Sequence, residues 1–569
     1  MERAAFATPE PDPRERALAR TLGVPDLVAR VLLSRGFDDP DRARTHLRPD
    51  LRQLHDPFLF RGMDRAVARV RDAMTRGERI LVHGDYDVDG IAGSVLLRKL
   101  FGLVQTEARI HIPRREDGYS FTAASVRAIA DGDFKLCISV DNGTNAVEAI
   151  EHIQARGCDV IVTDHHGTLE NTARPHTLIN PRLPEAGYPD RDLAGCGVAF
   201  RLATALAHSF SRGTTHSDEF REFLTESLAY VALGTIADVA PLRGENRVLV
   251  SHGLRALAAS PNPGIRALLD AAGIGSEQPD VEDVAFRIAP LINAAGRMGQ
   301  ASDAVDLLMA NGYQPAQEAA KQLEAHNERR RKVERELLEE ATRLAAERPE
   351  PILVIAGEGW HQGVLGIVAA RLAETSGRPA LLLTIEGGRA RGSGRSAGCL
   401  DLRQALASCS EVLTAHGGHA AAVGLELPAE NVDLFRERIN TVAGGEVRPR
   451  RVEQPDGCAG FDELDVRTLR QLDQLGPFGI GNPRPTFVTA GVRLLGRPAL
   501  DPRGADLRLR VAQNGQVLPA RVVAGASRCE ELRERREHFR LVYTPRASRW
   551  VDEGPVELVV SHLEAEATT

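Results

Sequence analysis

The sequence predicts an α/β protein: a parallel-sheet lobe joined by a long helix to a second α/β lobe, followed by a small β-barrel. Three observations carry that prediction. Short apolar runs alternate with helical segments from about residue 75 to 245, as in a parallel sheet with crossover helices. A polar helical pattern runs from Pro315 to Arg348, and Pro349 and Pro351 end it. Beyond about residue 450 the strand-like runs become short and are separated by turn signals, which fits an OB-like barrel of five strands.

The 569 residues suggest three or four domains, and 43% hydrophobic residues suffice for sizeable cores. Apolar stretches stay short of the roughly 18 residues of a membrane span. The first 30 residues carry charges throughout, so no signal peptide is expected. Seven cysteines without a CxxC pair point to reduced thiols in the cytoplasm and offer no zinc cluster. The net charge of −8 does not announce a nucleic-acid partner, so charge has to be read locally.

The first lobe opens with Ile80-Leu-Val-His-Gly-Asp-Tyr-Asp-Val-Asp-Gly90. Ile80 to Val82 read as a buried strand; His83, Asp85, Asp87 and Asp89 follow at alternate positions. Like charges so close repel one another and resist desolvation, and a divalent cation removes that cost. An EF-hand loop would need Glu at its twelfth position, which here is Leu96, and a preceding helix instead of a strand. Further strands end at Asp141 and at Asp164-His165-His166, and an apolar helix ends at Asp238. An Asp after a strand is commonly only a helix cap. Four such sites, most of them at one sheet edge, where open α/β sheets bind ligands, are much harder to explain that way.

The helix from Pro315 to Arg348 is apolar at both ends and charged through Asn327–Arg335, the pattern of a solvent-bridging strut. In the second lobe, Ile352–Ala356 and Ala380–Thr384 read as strands, and a helix beginning at Gly363 offers its N-terminus to an anion. Gly387–Ser396 reads as a Gly/Arg loop, whose glycines let backbone approach a phosphate while Arg and Ser donate to it. Between 482 and 549, 14 arginines face six acids. This local reversal of charge is the footprint of a single-strand track.

With Asp164-His165-His166 after a strand and His83-x-x-x-Asp87-x-Asp89 upstream, the chain resembles the DHH phosphoesterase superfamily. The wider set narrows the resemblance to the RecJ single-strand exonucleases. It includes Val140-Asp-Asn-Gly143, Ile292-Asn-Ala-Ala-Gly-Arg297, Gly359-Trp-His-Gln-Gly-Val-Leu-Gly-Ile367, Gly417-Gly-His419 and Leu475-Gly-Pro-Phe-Gly-Ile-Gly-Asn-Pro483.

That resemblance implies an N-terminal accessory segment (1–70), a DHH catalytic domain (71–300), connecting helices (301–350), a DHH-associated domain (351–447) and an OB-like single-strand-binding domain (448–569). It implies metal ligands His83, Asp87, Asp89, Asp141, His165 and Asp238 for two ions, Mn²⁺ or Mg²⁺, able to clamp the attacking and leaving oxygens. His166 would meet the scissile phosphate, with Asp85 and Asp164 orienting ligands; Asp85 is alternatively a direct ligand. Arg115 (or Arg114, by register), Tyr119, Arg297, Arg391, Arg395, Ser396 and His419 would hold the 5′ end. The expected activity is hydrolysis of single-stranded DNA from the 5′ end to mononucleotides, in recombination and repair. A single-strand-binding protein and a helicase are the expected protein partners. Two other readings compete: a short-oligonucleotide or cyclic-dinucleotide phosphodiesterase, which would lack the barrel, and an inactive strand-binding subunit, which would lack ligands. Longer members of the family carry a further C-terminal domain, so contacts attributed to that domain are not expected from this chain.

Overall fold

Apolar runs with β-branched residues build the first sheet. Ile80–Gly84 (β1), Ala108–His111 (β2), Leu136–Val140 (β3), Asp159–Thr163 (β4) and Thr177–Ile179 (β5) pair in parallel in the order β2-β1-β3-β4-β5. Strands β1 and β3 are buried along their whole length, as expected of a sheet covered on both faces. The strand order reverses at β1 and β3, so their carboxyl ends open a crevice at the switch point. The computed structural model describes residues 12–118, 120–168, 171–211, 217–447, 454–502, 504–534, 538–548 and 554–566. Among the described residues, no helix is long and apolar enough to cross a membrane.

The chain divides into two compact units, and this sheet lies in the one formed by Pro57–Asp238 and Gly253–Val452. The same unit holds the helix Tyr313–Ala346, whose 34 residues span about 51 Å. Its charged middle is solvated on one side only, where Glu328, Arg329, Arg331, Lys332 and Arg335 are exposed. Asn327 is 5% and Glu334 2% exposed, in line with Leu323 and Leu337 on one buried stripe. Glu334 is tolerated there because Arg371 and Arg330 approach its carboxylate to 2.9 and 3.4 Å.

The second sheet follows: Leu353–Glu358 (β6), Ala380–Glu386 (β7), Arg389–Arg395 (β8), Ala415–Gly418 (β9) and Ala422–Pro428 (β10), in the order β6-β7-β8-β10-β9. The Gly/Arg segment expected as a loop is therefore mostly strand β8, at the centre of this sheet, with Gly387 and Gly388 at positive φ making the turn before it. Gly392 is required there: a Cβ would lie 1.9 Å from the Leu382 carbonyl oxygen.

The other unit comprises the described parts of residues 1–56, 239–252 and 453–569. Gly457–Cys458 (β11) pairs with Phe487–Leu500 (β12). Strand β12, Leu507–Gln513 (β13), Gln516–Val522 (β14), Phe539–Ala547 (β15) and Val556–Ala565 (β16) form a barrel that the β12–β15 pairing closes. Leu27, Val28 and Leu32 from the first helices share one core with Phe461, Phe487, Leu509 and Tyr543. Arg30 meets Glu15 and Glu463, and Arg35 meets Asp456. The N-terminal helices thus pack into the core of a barrel more than 400 residues downstream.

Candidate metal centre

Strand ends and helix starts place the acidic side chains. β1 ends at Gly84, so Asp85 leaves the sheet at its carboxyl edge, 3% exposed. Asp87 caps the helix Val88–Leu103, its Oδ1 accepting from Asp89 N at 3.0 Å and Gly90 N at 3.2 Å. The Asp89 carboxylate accepts from Gly195 N at 2.7 Å and Cys196 N at 2.9 Å, at the start of the helix Gly195–Phe210. Asp141 follows β3 with φ of 64°, a left-handed conformation that costs free energy in a non-glycine residue and clusters at functional sites. The space around it depends on Gly195, where a Cβ would lie 2.6 Å from Asp141 Cβ. Asp238 closes the helix Asp218–Ala237.

These side chains converge. Asp85, Asp87 and Asp141 form one group of possible ligand atoms within 4.8 Å of one another; Asp89, His165 and Asp238 form a second, and Asp141, His165 and His166 a third. His165 Nε2 lies 3.0 Å from Asp141 Oδ1, 3.7 Å from Asp238 Oδ2 and 3.9 Å from Asp89 Oδ2. Asp164 is saturated: Oδ1 accepts from His165 N, His166 N and His166 Nδ1, and Oδ2 from Thr144 N. His83 stands apart from all three groups. Its Nε2 is 3.0 Å from Ser125 Oγ and its ring stacks on Phe121.

The electrostatics are those of a site built for cations. Burial, then the charge of Asp87, pushes Asp85 well above the usual carboxylate range. Burial and Asp89 do the same to Asp141. Burial raises Asp89 to about 6 and Asp238 to about 8. Burial holds His165 down at about 3, neutral and able to ligate. Burial also opposes charge on His166, but the hydrogen bond and charge of Asp164 overcome it and lift the imidazole to about 9. Asp164 itself is held well below the usual range: burial works against its charge, and the His166 hydrogen bond outweighs it. Carboxylates packed so that they resist ionisation, with Asp85 Oδ1 buried without a hydrogen bond, fit divalent cations.

Across the same unit, the cationic residues gather. Arg115 lies over the Tyr86 ring at 4.1 Å, whereas Arg114 pairs with Glu116. Burial lowers Arg297 to about 9, and the charges of Arg115, Arg330 and Arg395 add to that. Arg297 Nη1 donates to Gly363 O. Burial, then Arg115, lowers Arg395 too. Arg391 pairs with Glu426 at 2.9 Å. His419, at the β9–β10 turn, is within reach of the His166 charge. Arg115, Arg297 and Arg391 line a cavity of about 840 Å³ together with Trp360 and His361.

Ser396 is not with the arginines: it is 1% exposed and its Oγ accepts from Gly398 N. Strand alternation puts Ser393, not Ser396, on the Arg395 face, and both approach Gly366. The N–H of Gly363 is taken by His361 Nδ1. Tyr119 lies outside the described residues. Arg182, whose charge reaches His165, Asp238 and His419, was not singled out from sequence. It follows β5, a three-residue strand with too short an apolar run to signal itself.

Comparison with known proteins accords with this geometry. Residues 79–235 match the DHH family N-terminal domain, 350–445 the DHHA1 domain and 455–562 the RecJ OB domain. The single-stranded-DNA-specific exonuclease RecJ of Dickeya dadantii is 36% identical over 491 residues, covering 82% of this chain and 83% of that protein. The chain belongs to the RecJ family. The Bacillus subtilis RecJ is 34% identical over 83% of this chain, and the chain spans 59% of that longer protein. RecJ from Thermus thermophilus, solved with Mn²⁺, superposes with a TM-score of 0.81 at 27% identity, covering 99% of this chain and 79% of that one. Its Mg²⁺ form gives 0.76 at the same identity, over 99% and 78%.

Proposed function

We propose that this chain is a metal-dependent exonuclease that degrades single-stranded DNA from the 5′ end to mononucleotides. The observation that carries the reading is the pair of ligand groups, Asp85/Asp87/Asp141 and Asp89/His165/Asp238, linked through the Asp141–His165 approach at one sheet edge. Relatives named for single-stranded-DNA-specific exonuclease activity support it. The RecJ OB domain match favours it over the short-oligonucleotide reading.

In this account Asp85, Asp87 and Asp141 hold one divalent cation, and Asp89, His165 and Asp238 a second, with Asp141 shared. Asp85 takes the place that the resemblance gave to His83, because its carboxylate is among the converging ligand atoms and the His83 ring is not. Oxygen-rich donors with one imidazole suit Mn²⁺ or Mg²⁺, the ions of the Thermus structures. When bound, such ions supply Lewis acidity and a nucleophile at neutral pH for phosphodiester hydrolysis.

The protein side chains do the positioning. Asp164 fixes the ring of His166 through Nδ1 and favours its charged form, in which Nε2–H meets the charge on the scissile phosphate. Arg115, Arg297 and Arg395, with Ser393 and His419, bind the 5′-terminal phosphate; half-buried guanidiniums with few carboxylate partners gain most from an anion. The exposed Arg493, Arg497 and Arg510 of β12 and β13 track the strand's backbone. We place the protein in the cytoplasm, in recombination and repair, with a single-strand-binding protein or helicase delivering substrate.

The test of polarity uses strands blocked at one end. A 5′ block that stops nucleotide release, with a 3′ block leaving it intact, is expected; the reverse pattern overturns the polarity.

A further inference from the structure

A second cavity, of about 830 Å³, lies wholly within the barrel-containing unit, and no residue of the metal centre lines it. Its size suits a drug-sized or nucleotide-sized molecule. Arg247 lines the cavity. This residue is 4% exposed. Its Nη2 donates to the carbonyls of Gln474, Leu475 and Gly476, while Nε is buried without a hydrogen bond. Burial lowers the guanidinium to about 10, and no carboxylate among the described residues pairs with it.

The acids in the same wall are already engaged. Asp456 pairs with Arg35, Asp41 with Arg44, Asp39 accepts from Arg42 N, and Glu245 accepts from His55 N. The helix Gly244–Ala259 begins at the cavity wall, and a helix start favours anions. Opposite in character is the Phe37–His46 pair, stacked with centroids 4.3 Å apart. The Nε2 of His46 is buried without a hydrogen bond, and the charges of Arg247 and Arg35 reach its ring. The cavity thus combines an unneutralised buried cation with a flat aromatic face.

We propose that this cavity binds a nucleoside 5′-monophosphate, with the phosphate toward Arg247 and the start of the helix Gly244–Ala259, and the base against Phe37 and His46. Such a nucleotide is the product class of the proposed reaction, so its supply rests on that reading, whereas the binding does not.

The test is calorimetric titration of deoxyadenosine 5′-monophosphate into the full chain in EDTA. It is done on an Arg115→Ala, Arg395→Ala background, which weakens the phosphate cluster of the other unit, and the response to substitutions in this cavity assigns the binding. One nucleotide should bind, and Thr45→Trp, which fills the cavity from an exposed position in its wall, should weaken binding at least 10-fold. Arg247→Met tests the cation directly; if that variant does not fold, Arg42→Glu at the exposed rim serves instead. Absence of binding, or binding unchanged in Thr45→Trp, overturns the proposal. Equal affinity for deoxyadenosine removes the anion half of it, and equal affinity for inorganic phosphate the nucleoside half. Nuclease activity of the unmodified chain, measured separately, reports on the proposed function alone.

Discussion

His165 Nε2 stands 3.0 Å from Asp141 Oδ1, and Asp141 holds a left-handed backbone to keep that place. Asn adopts this conformation about as readily as Asp. Asp141→Asn should therefore fold normally, removing a buried carboxylate crowded by the charges of Asp89, Asp87 and Asp238. In EDTA its melting temperature should equal or exceed that of the wild type. In Mn²⁺ the wild type should gain stability and the variant should not, with activity falling by at least about 10²-fold. A variant that Mn²⁺ still stabilises as the wild type would remove Asp141 from the ligand set.

In the proposed reading Asp164 acts through His166 and not on the ions. Asp164→Asn loses the acceptor for His166 Nδ1, so turnover should fall about 10²-fold while Mn²⁺ affinity stays within about 10-fold. Turnover numbers set beside metal titrations separate the two. Metal affinity falling as far as turnover would make Asp164 a ligand.

Arg115 and Arg114 are neighbours with opposite surroundings: one over Tyr86, the other paired with Glu116. Arg115→Ala should raise KM about 10–100-fold for 5′-phosphorylated strands and much less for 5′-hydroxyl strands. Arg114→Ala should change either by less than about two-fold. Steady-state kinetics on the two substrates decide between them, and a larger effect at Arg114 reverses the assignment.

On the barrel, Arg493→Gln with Arg510→Gln should weaken single-strand binding and flatten its salt dependence. Each lost phosphate contact lowers the slope of log affinity against log salt by about 0.7, so the pair should lower it by about 1.4. Fluorescence titrations at several salt concentrations give the slope. An unchanged slope would move the track off β12 and β13.

His46 gives a pH signature. Burial, then Arg247 and Arg35, pushes its imidazole down to about 3, below an unfolded value of about 6.5. The unfolded chain then binds the proton first, so the stability associated with neutral His46 is complete above about pH 6.5 and is lost as pH falls toward 3. Urea midpoints should fall more steeply for the wild type than for His46→Phe between about pH 6.5 and 4. Parallel curves would show that the imidazole is not held neutral.

Much of the site was legible because its carboxylates and histidines sit directly after apolar runs, where a strand end and its chemistry are adjacent in sequence. Asp87, Asp89, Asp141, His165 and Asp238 all fall in the converging groups. His83 and Asp85 are two residues apart on one extended segment, and which of them reaches the group depends on backbone direction beyond Gly84, which spacing does not encode. Ser396 and Ser393 posed the same difficulty: glycines gave Gly387–Ser396 the composition of a loop, and only pairing of β8 with β7 and β10 fixed which serine faces Arg395. The strut reading of Tyr313–Ala346 holds for one face only, because on the other Glu334 is buried by arginines from elsewhere in the chain as well as its own helix. Least legible was the core shared by Leu27 and Phe487, which no local pattern can announce.

The most direct measurement follows a long, internally labelled single strand with a 5′ phosphate in Mn²⁺, in Mg²⁺ and in EDTA, with Asp141→Ala alongside. The account predicts mononucleotide release in either metal, none in EDTA, and none from the variant. Tight binding of the strand without cleavage in any metal would contradict it and leave the chain a strand-binding protein; rapid cleavage of very short oligomers alone would instead make it a short-oligonucleotide phosphodiesterase.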